Sequence, residues 1–402
     1  MKILVLSPFF FPEQISTGKY NTHLVEELTK QGASVTVYSS HPLFPQWKIS
    51  LSTEKMDGVE IRRGGGWIRY PSSTLLRRAV LEIWFSLHVV KSWLFKRGSY
   101  DVIVPIFPPS LFFFVLCIFL SRSSHKIGII HDLQGVYANL SKGFIGRILT
   151  SLIGAIESSA FNSCDRLIFL SNAMANRAKA SYGISPEKCT VCYPFVSIPS
   201  QTIAHGSNLL ELFPPNIKHV VYSGALGDKQ NPALLYDFFN ALTNAEKNID
   251  CHIFSGGPHF ESLKTRFFNA NERIHFHDLV HSRDLEELYA RSDVQIIPQQ
   301  FGTGDGSLPS KLPNLMAAGV PVFVICESGS EVGDIVVKAQ AGGISTCWDA
   351  DSLVTSFQSQ MGTLFEEDRI VRRARLQAFV RNNFNIESVA NILLLKGEVY
   401  EN

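Results

Sequence analysis

Two α/β lobes, each a parallel sheet wrapped by helices, are the architecture this sequence predicts. Three observations lead there. A chain of 402 residues is too long for one ordinary core and divides naturally into two lobes of similar size. Apolar strand-like runs alternate with amphipathic helical stretches along the first half, the order of a parallel sheet with helical crossovers. The same order restarts after a loose stretch around Ser197–Ser207, so the domains are read as residues 1–200 and 201–402, with the last helix a candidate to pack back on the first lobe.

Taken in order, the clearest first-lobe strands are KILVLS (2–7), SVTVYS (34–39), DVIVPI (101–106), KIGIIHD (126–132) and RLIFLS (166–171). Those of the second lobe are HVVYSG (219–224), CHIFSG (251–256), IHFHD (274–278), VQIIPQ (294–299) and VPVFVI (320–325). MKILVLSPFFFPE has a lysine and an apolar stretch, but Pro8, Pro12 and Glu13 interrupt it and no small-residue cleavage site follows, so it reads as a first buried strand rather than a signal peptide. Residues 102–120 are apolar enough to suggest a membrane span. Pro105, Pro108 and Pro109 divide them into a short strand and a helix of about eleven residues, too short to cross a bilayer. The stretch 75–97 joins an apolar helical stripe to Arg77, Arg78, Lys91, Lys96 and Arg97. Such a helix either lies in a membrane interface or packs on the core with a solvated face, and the periodicity is the same in both.

An apolar share of 45% and a charged share of 18% belong to a folded globular protein and exclude a disordered one. The net charge of +1 conceals an asymmetry: residues 1–200 hold 21 Lys+Arg against 12 Asp+Glu, and residues 201–402 hold 16 against 24. A basic lobe suits anionic lipid or a phosphorylated acceptor. Nucleic-acid binding would call for a denser basic stripe and a recognised binding motif, and neither is present. The seven cysteines are dispersed and mostly inside apolar runs, which fits reduced thiols in a cytoplasmic protein; Cys189 and Cys192 form a CxxC within a strand-like run and read as packing.

Open α/β sheets bind ligands beyond the carboxyl ends of their strands, so the site is expected in the cleft between the lobes. GTGDG (302–306), between strand VQIIPQ and the apolar helix SKLPNLMAAG, suits phosphate or sugar contact, because glycine lets backbone N–H groups approach an anion at an electropositive helix start. The alternative is an ordinary glycine turn. His131 and Asp132 end the strand KIGIIHD, where polar groups can orient a ligand or, in the alternative, form an Asp-capped turn with a packed histidine. Asp349-Ala-Asp351 precedes a helix, and Asp351 reads as its N-cap rather than a metal ligand. His275, His277 and His281 lack partner ligands at metal spacing, so no metal site is assigned.

The ordered motifs resemble glycosyltransferase family four, in particular the bacterial exopolysaccharide enzymes of the colanic-acid type. In the first lobe the resemblance is carried by FFPEQISTGKYNTHLVEELTKQGASVTVYSSHPLFPQWKI, and in the second by YSGALGDKQNP, IFSGGP, ARSDVQIIPQ and GDGSLPSKLPNLMAAGVPVF. It implies the GT-B fold, two Rossmann-like domains whose parallel sheets face a central cleft. It implies transfer of a sugar from a nucleotide-diphosphate sugar to a glycan or polyprenyl-diphosphate-linked acceptor, with retention of configuration and no obligatory metal, at the cytoplasmic membrane face. Domain closure would exclude water. By the same resemblance His131 and Asp132 lie near the transferred sugar, while Gly18, Gly224, Lys229, Gly304, Asp305, Gly306, Ser307, Lys311 and Asn314 form the donor site. Two departures stand out. Many relatives carry glutamates at the places of Gly306 and Asn314, and an arginine at that of Ala225. Lys311, read as lying in the first turn of its helix, is therefore the candidate second cation for the diphosphate beside Lys229. The departures keep two other readings open, a nucleotide-sugar epimerase and a non-catalytic GT-B partner protein.

Overall fold

A computed structural model describes residues 1–13, 15–43, 47–95, 99–118, 124–133, 144–196, 208–281, 284–303 and 308–395. The chain forms two compact units, Met1–Ser197 with Asn385–Asn402, and Ile198–Phe384.

The first lobe holds β1 (Lys2–Leu6), α1 (Ser16–Lys30), β2 (Ser34–Ser40), β3 (Val59–Gly64), α2 (Thr74–Phe95), β4 (Val102–Phe107) and α3 (Leu111–Leu116). There follow β5 (His125–Ile130), α4 (Phe144–Asn162), β6 (Arg166–Phe169), α5 (Asn172–Tyr182) and β7 (Cys189–Val191). All seven strands run parallel in the order β3-β2-β1-β4-β5-β6-β7. Alternation assigns the two faces. Ile3 and Val5 join Leu24, Val25 and Leu28 of α1 in one core, while Leu4 and Leu6 join Phe85, Phe112 and Phe161 in the other.

The second lobe comprises β8 (Lys218–Ser223), α6 (Pro232–Ala245), β9 (Ile249–Ser255), α7 (Pro258–Arg266), β10 (Ile274–Asp278), α8 (Leu285–Arg291) and β11 (Val294–Pro298). It continues through α9 (Leu312–Ala317), β12 (Val322–Ile325), α10 (Glu331–Ala339), β13 (Gly342–Ser345), α11 (Ala350–Gln358), α12 (Met361–Phe365) and α13 (Arg369–Asn383). Its six-stranded parallel sheet has the order β10-β9-β8-β11-β12-β13. The chain then returns to the first lobe as α14 (Ile386–Leu393), where Val389, Ala390 and Leu393 are fully buried beside α1.

Every strand expected from apolar runs is present. The elements not anticipated have weak patterns: β3 is VEIRRG, half-exposed at the sheet edge, and β13 is the four-residue GGIS. Three local expectations need correction. The helix after Pro109 has six residues rather than eleven. Asp349, not Asp351, caps α11, its carboxylate accepting from the Ser352 amide at 2.8 Å. Lys311 is the N-cap of the six-residue α9, not a residue of its first turn, and Pro313 fits that helix start because its missing N–H is not needed there.

Burial of α14 makes the first lobe depend on the chain's last described helix. Leu393→Ala is expected to destabilise that lobe by about 2–5 kcal/mol, the cost of a cavity in a close-packed core. Denaturant unfolding followed by tryptophan fluorescence measures it, because Trp47, Trp67, Trp84 and Trp93 all lie in this lobe. An unchanged midpoint would show that α14 is not part of that core.

Candidate active site

In the first lobe the strand order reverses direction between β1 and β4. Crossovers leave that point toward opposite sheet edges, and a crevice opens above it. After β1, Asn21 of α1 donates from Nδ2 to Ser7 Oγ at 3.0 Å and to the Phe9 carbonyl at 2.9 Å, pinning the helix to the strand end. α1 starts without a side-chain cap and without an acidic residue in its first turn. Gly18 belongs to this first turn and is buried. A Cβ there would lie 2.9 Å from the Cβ of Glu13 and 3.0 Å from its carbonyl oxygen, so glycine is needed for that close approach. Glu13 is itself buried and accepts from the Leu43 amide at 2.8 Å.

His131 follows β5, and its amide donates to the Phe107 carbonyl at the end of β4 at 2.8 Å, which seats the imidazole at the reversal point. Its ring meets Tyr20 edge to face, centroids 4.7 Å apart, and Tyr20 stacks on Phe195 at 4.3 Å. Burial pushes the imidazole down to about 4, so the ring is neutral at neutral pH. His131 Nε2, the Tyr20 hydroxyl and Asn21 Oδ1 are all buried with no hydrogen-bond partner among the described residues. Buried polar atoms in native proteins are paired, so three such orphans beside the strand ends of one sheet suit ligand hydroxyls. Asp132 turns one carboxylate oxygen onto the Leu133 amide at 2.9 Å and caps its own turn. Tyr20 and Asn21 carried no assigned role in the sequence; their only signal was membership of GKYN.

In the second lobe the order reverses between β8 and β11. Gly224 ends β8 with φ of 130°, a backbone that side chains resist, and open space lies above it. Lys229 is exposed in the turn Asp228–Gln230, and its carbonyl accepts from the Gln300 amide at 2.8 Å, joining the loops that follow β8 and β11. Gly304, Asp305, Gly306 and Ser307 lie outside the described residues. Asn314 is buried in α9 and donates to the Ser310 carbonyl at 3.3 Å.

Lys311, the N-cap of α9, turns its ammonium inward. It donates to the carbonyls of Ile296 at 2.8 Å and Ser223 at 3.4 Å, and lies 4.3 Å from the Tyr222 ring centroid. The side chain is half-buried overall, but the nitrogen is enclosed, and burial pushes it down to about 7. No carboxylate among the described residues forms an ion pair with it. The sequence-predicted residues Gly224, Lys229 and Lys311 thus gather where β8 and β11 part.

The two family sequence models divide the chain as the lobes do: Glycosyltransferase Family 4 matches residues 17–198 and Glycosyl transferases group 1 matches residues 211–372. The chain is a two-domain glycosyltransferase. It is 26% identical over 375 residues to WcaI of Escherichia coli K12, described as a colanic acid biosynthesis glycosyl transferase, covering 88% of this chain and 89% of that one. The fold is similar to WaaG, a glycosyltransferase involved in lipopolysaccharide biosynthesis, with a TM-score of 0.68 at 14% identity over 97% of this chain and 99% of the other. It is also similar to Anabaena HepE in complex with UDP, with a TM-score of 0.62 at 15% identity over 98% and 99%. The architecture of the transferase is therefore GT-B.

The histidines of the second lobe of the transferase form a ladder on the sheet face opposite the Cys251–Ile253 core. His219 Nε2 is 2.9 Å from the Pro214 carbonyl and must donate to it, which leaves Nδ1 to accept from His252 Nε2 at 3.0 Å. His252 Nδ1 then accepts from His277 Nε2 at 3.2 Å. In a neutral ladder one carbonyl so fixes three tautomers. His275 pairs instead with Asp250 at 3.5 Å. Among the described residues no three His, Cys, Asp or Glu side chains are grouped for a metal.

Burial and the neighbouring histidines hold His252 far below the ordinary imidazole range, and burial pushes His277 down to about 4. Both are depressed in the folded state, so their contribution is complete above the unfolded value near 6.5 and is lost as pH falls below it. Amide exchange in β8–β10 is expected to accelerate from pH 6.5 toward 4, after correction for intrinsic exchange. Each histidine steepens the loss by up to about 1.4 kcal/mol per pH unit. His252→Gln, which keeps a donor and an acceptor, should flatten that slope; an equal slope in both proteins would refute the ladder's role.

Proposed function

We propose that the transferase moves a sugar from a nucleoside-diphosphate sugar to a hydroxyl of a lipid-linked glycan acceptor in surface polysaccharide synthesis, with retention of configuration. The names of its relatives, in colanic acid and lipopolysaccharide synthesis, support the process. The observation that carries the donor assignment is the gathering of Lys229, Lys311 and Gly224 at the β8/β11 reversal. Departure of a nucleoside diphosphate leaves about two negative charges to be met by cations and oriented N–H groups. The two lysines supply the cations. Gly224 leaves room for close approach, and Gly304, Asp305, Gly306 and Ser307 are proposed to contribute to the same donor site. Asn314 would meet a ribose or sugar hydroxyl as an amide. In the first lobe Gly18 belongs to an uncapped helix start, a place suited to phosphate oxygens.

Charge balance by lysines leaves no required part for a metal, and chelation is expected not to change turnover. His131, neutral and with an orphaned Nε2, would hydrogen-bond a hydroxyl of the transferred sugar rather than deliver a proton. Asp132 would stabilise positive character on the ring through its second carboxylate oxygen. Among the described residues no helix is long and apolar enough to cross a membrane, so contact with a lipid-linked acceptor would be peripheral, at the cytoplasmic face. An epimerase would act on the donor alone; detection of a glycosylated acceptor separates the two.

Three outcomes test the assignment. Lys229→Ala and Lys311→Ala should each weaken nucleoside-diphosphate binding about tenfold or more, equivalent to about 1.4 kcal/mol, with much less effect on the free nucleoside. Titration calorimetry reads both. Unchanged diphosphate binding by Lys311→Ala would leave the phosphates to backbone amides. An anion beside the buried ammonium raises its proton affinity, so binding should take up a proton and weaken as pH rises above about 7. Lys311→Arg, charged throughout, should lose that pH dependence. His131→Ala should lower turnover more than donor affinity; the reverse pattern would place it away from the reacting carbon.

A further inference from the structure

The outer face of α2 has no part in the donor site and none in the core. Its inner stripe, Leu81, Trp84, Phe85 and Val89, is buried. The opposite stripe is apolar as well: Leu76, Ile83 and Leu87 are exposed, Leu87 by 67%, and Phe95 at the helix end is 80% exposed. Trp67, after β3, is 82% exposed. A surface helix is ordinarily polar on its outer side, and contiguous exposed apolar stripes on soluble proteins mark places where something binds.

The stripe borders a cavity of about 650 Å³. Trp67, Leu87 and Phe95 form its apolar wall, Gly64–Gly66 lie along it, and Arg62, Arg63 and Lys91 supply cations. Among the described residues no carboxylate side chain lines it. Arg62 is held by Glu60 at 3.0 Å and by the Tyr38 hydroxyl at 2.8 Å, so its guanidinium is fixed in place. Arg63 donates from one terminal nitrogen to the Phe11 carbonyl at 2.6 Å, and its Nε is buried without a partner among the described residues. That bond also joins the cavity to the loop between β1 and α1, so the cavity lies at the same carboxyl edge of the sheet as His131.

A ligand that fits must be anionic at one end and aliphatic along the rest. We infer that this groove holds the isoprenoid-phosphate end of the acceptor, with the phosphate against Arg62, Arg63 and Lys91 and the first isoprene units along Trp67, Leu87 and Phe95. The inference rests on the lipid-linked acceptor proposed above and names the part of the lobe that would receive it. The aliphatic stripe decides against a nucleotide, which would match the cations and aromatic rings but not a run of Leu and Ile along a helix. A general attraction to anionic bilayers would use the cations alone and would not distinguish one anionic lipid from another.

The test is flotation of the full chain with neutral phosphatidylcholine vesicles containing a few per cent of a long-chain polyprenyl phosphate, or phosphatidylglycerol at equal surface charge. The wild-type protein should bind the polyprenyl vesicles about tenfold more tightly. Trp67→Ala/Leu87→Ala/Phe95→Ala, which alters only exposed side chains, and Lys91→Glu should each abolish the preference, with melting temperature and nucleoside-diphosphate binding as folding controls. Equal binding of the two vesicle types, binding of neither, or a preference retained by both variants would overturn the groove. Turnover on a lipid-linked glycan and on the same glycan freed from lipid separates this from failure of the underlying reading. Wild-type and variant proteins that share a preference for the lipid-linked form remove the groove and keep that reading, whereas equal use of both forms by wild type removes the reading itself.

Discussion

Both sheets of this transferase are wholly parallel, and that polarity governs where chemistry can happen. A parallel strand ends with carbonyls at one edge, and each crossover must leave from that edge to a helix on one face or the other. Where successive crossovers diverge, at β1/β4 and at β8/β11, loops part and backbone groups are left to be satisfied by side chains or ligand. His131 reaches the first divergence through its amide bond to the Phe107 carbonyl. Lys311 reaches the second through the carbonyls of Ser223 and Ile296. The sheet thus positions a neutral imidazole and a buried ammonium by the same device.

That device also explains what the sequence could and could not reveal. Long apolar runs such as KILVL and VIVPIF announce buried parallel strands, so the number and order of central strands were legible. β3 was not, because at the edge only one face of VEIRRG is covered and its charges serve the neighbouring cavity. Residue types at strand ends pointed to Gly224, Lys229 and His131. Direction did not: a lysine after PS gives no hint that its nitrogen turns inward, since that depends on carbonyls 15 and 88 positions away in sequence. Tyr20 and Asn21 were hidden for the same reason, as their orphaned oxygens acquire meaning only beside Ser7, Phe195 and His131.

Neutral buried bases recur in the structure, with different consequences. In the neutral histidine ladder His219 and His252 each both donate and accept, and His277 donates to His252. His131 Nε2 has no hydrogen-bond partner among the described residues, which suits the ligand contact proposed for it. The ladder therefore stabilises the lobe, whereas the orphaned imidazole costs stability until something occupies the site. Such a division is expected when a fold supports a site whose polar groups must be free before substrate arrives.

The departures from the usual donor pattern are best understood as a change of charge. Placing Gly306 and Asn314 where relatives have glutamates removes two negative charges, and placing Ala225 where they have arginine removes one positive charge. Lys311 restores a cation at the strand reversal. Relative to that pattern, the donor site proposed above would be one charge more positive, two carboxylates and one guanidinium fewer, with Asp305 remaining as a carboxylate of its loop. Enclosure of the Lys311 nitrogen strengthens the effect, since the field of a charge is screened less inside the protein than at its surface. The same enclosure has a cost: among the described residues the ammonium is held by two carbonyls and a ring, and without an anion its charge is poorly tolerated. A site of this kind favours a dianionic ligand over a neutral sugar, and couples its occupancy to the protonation of one lysine.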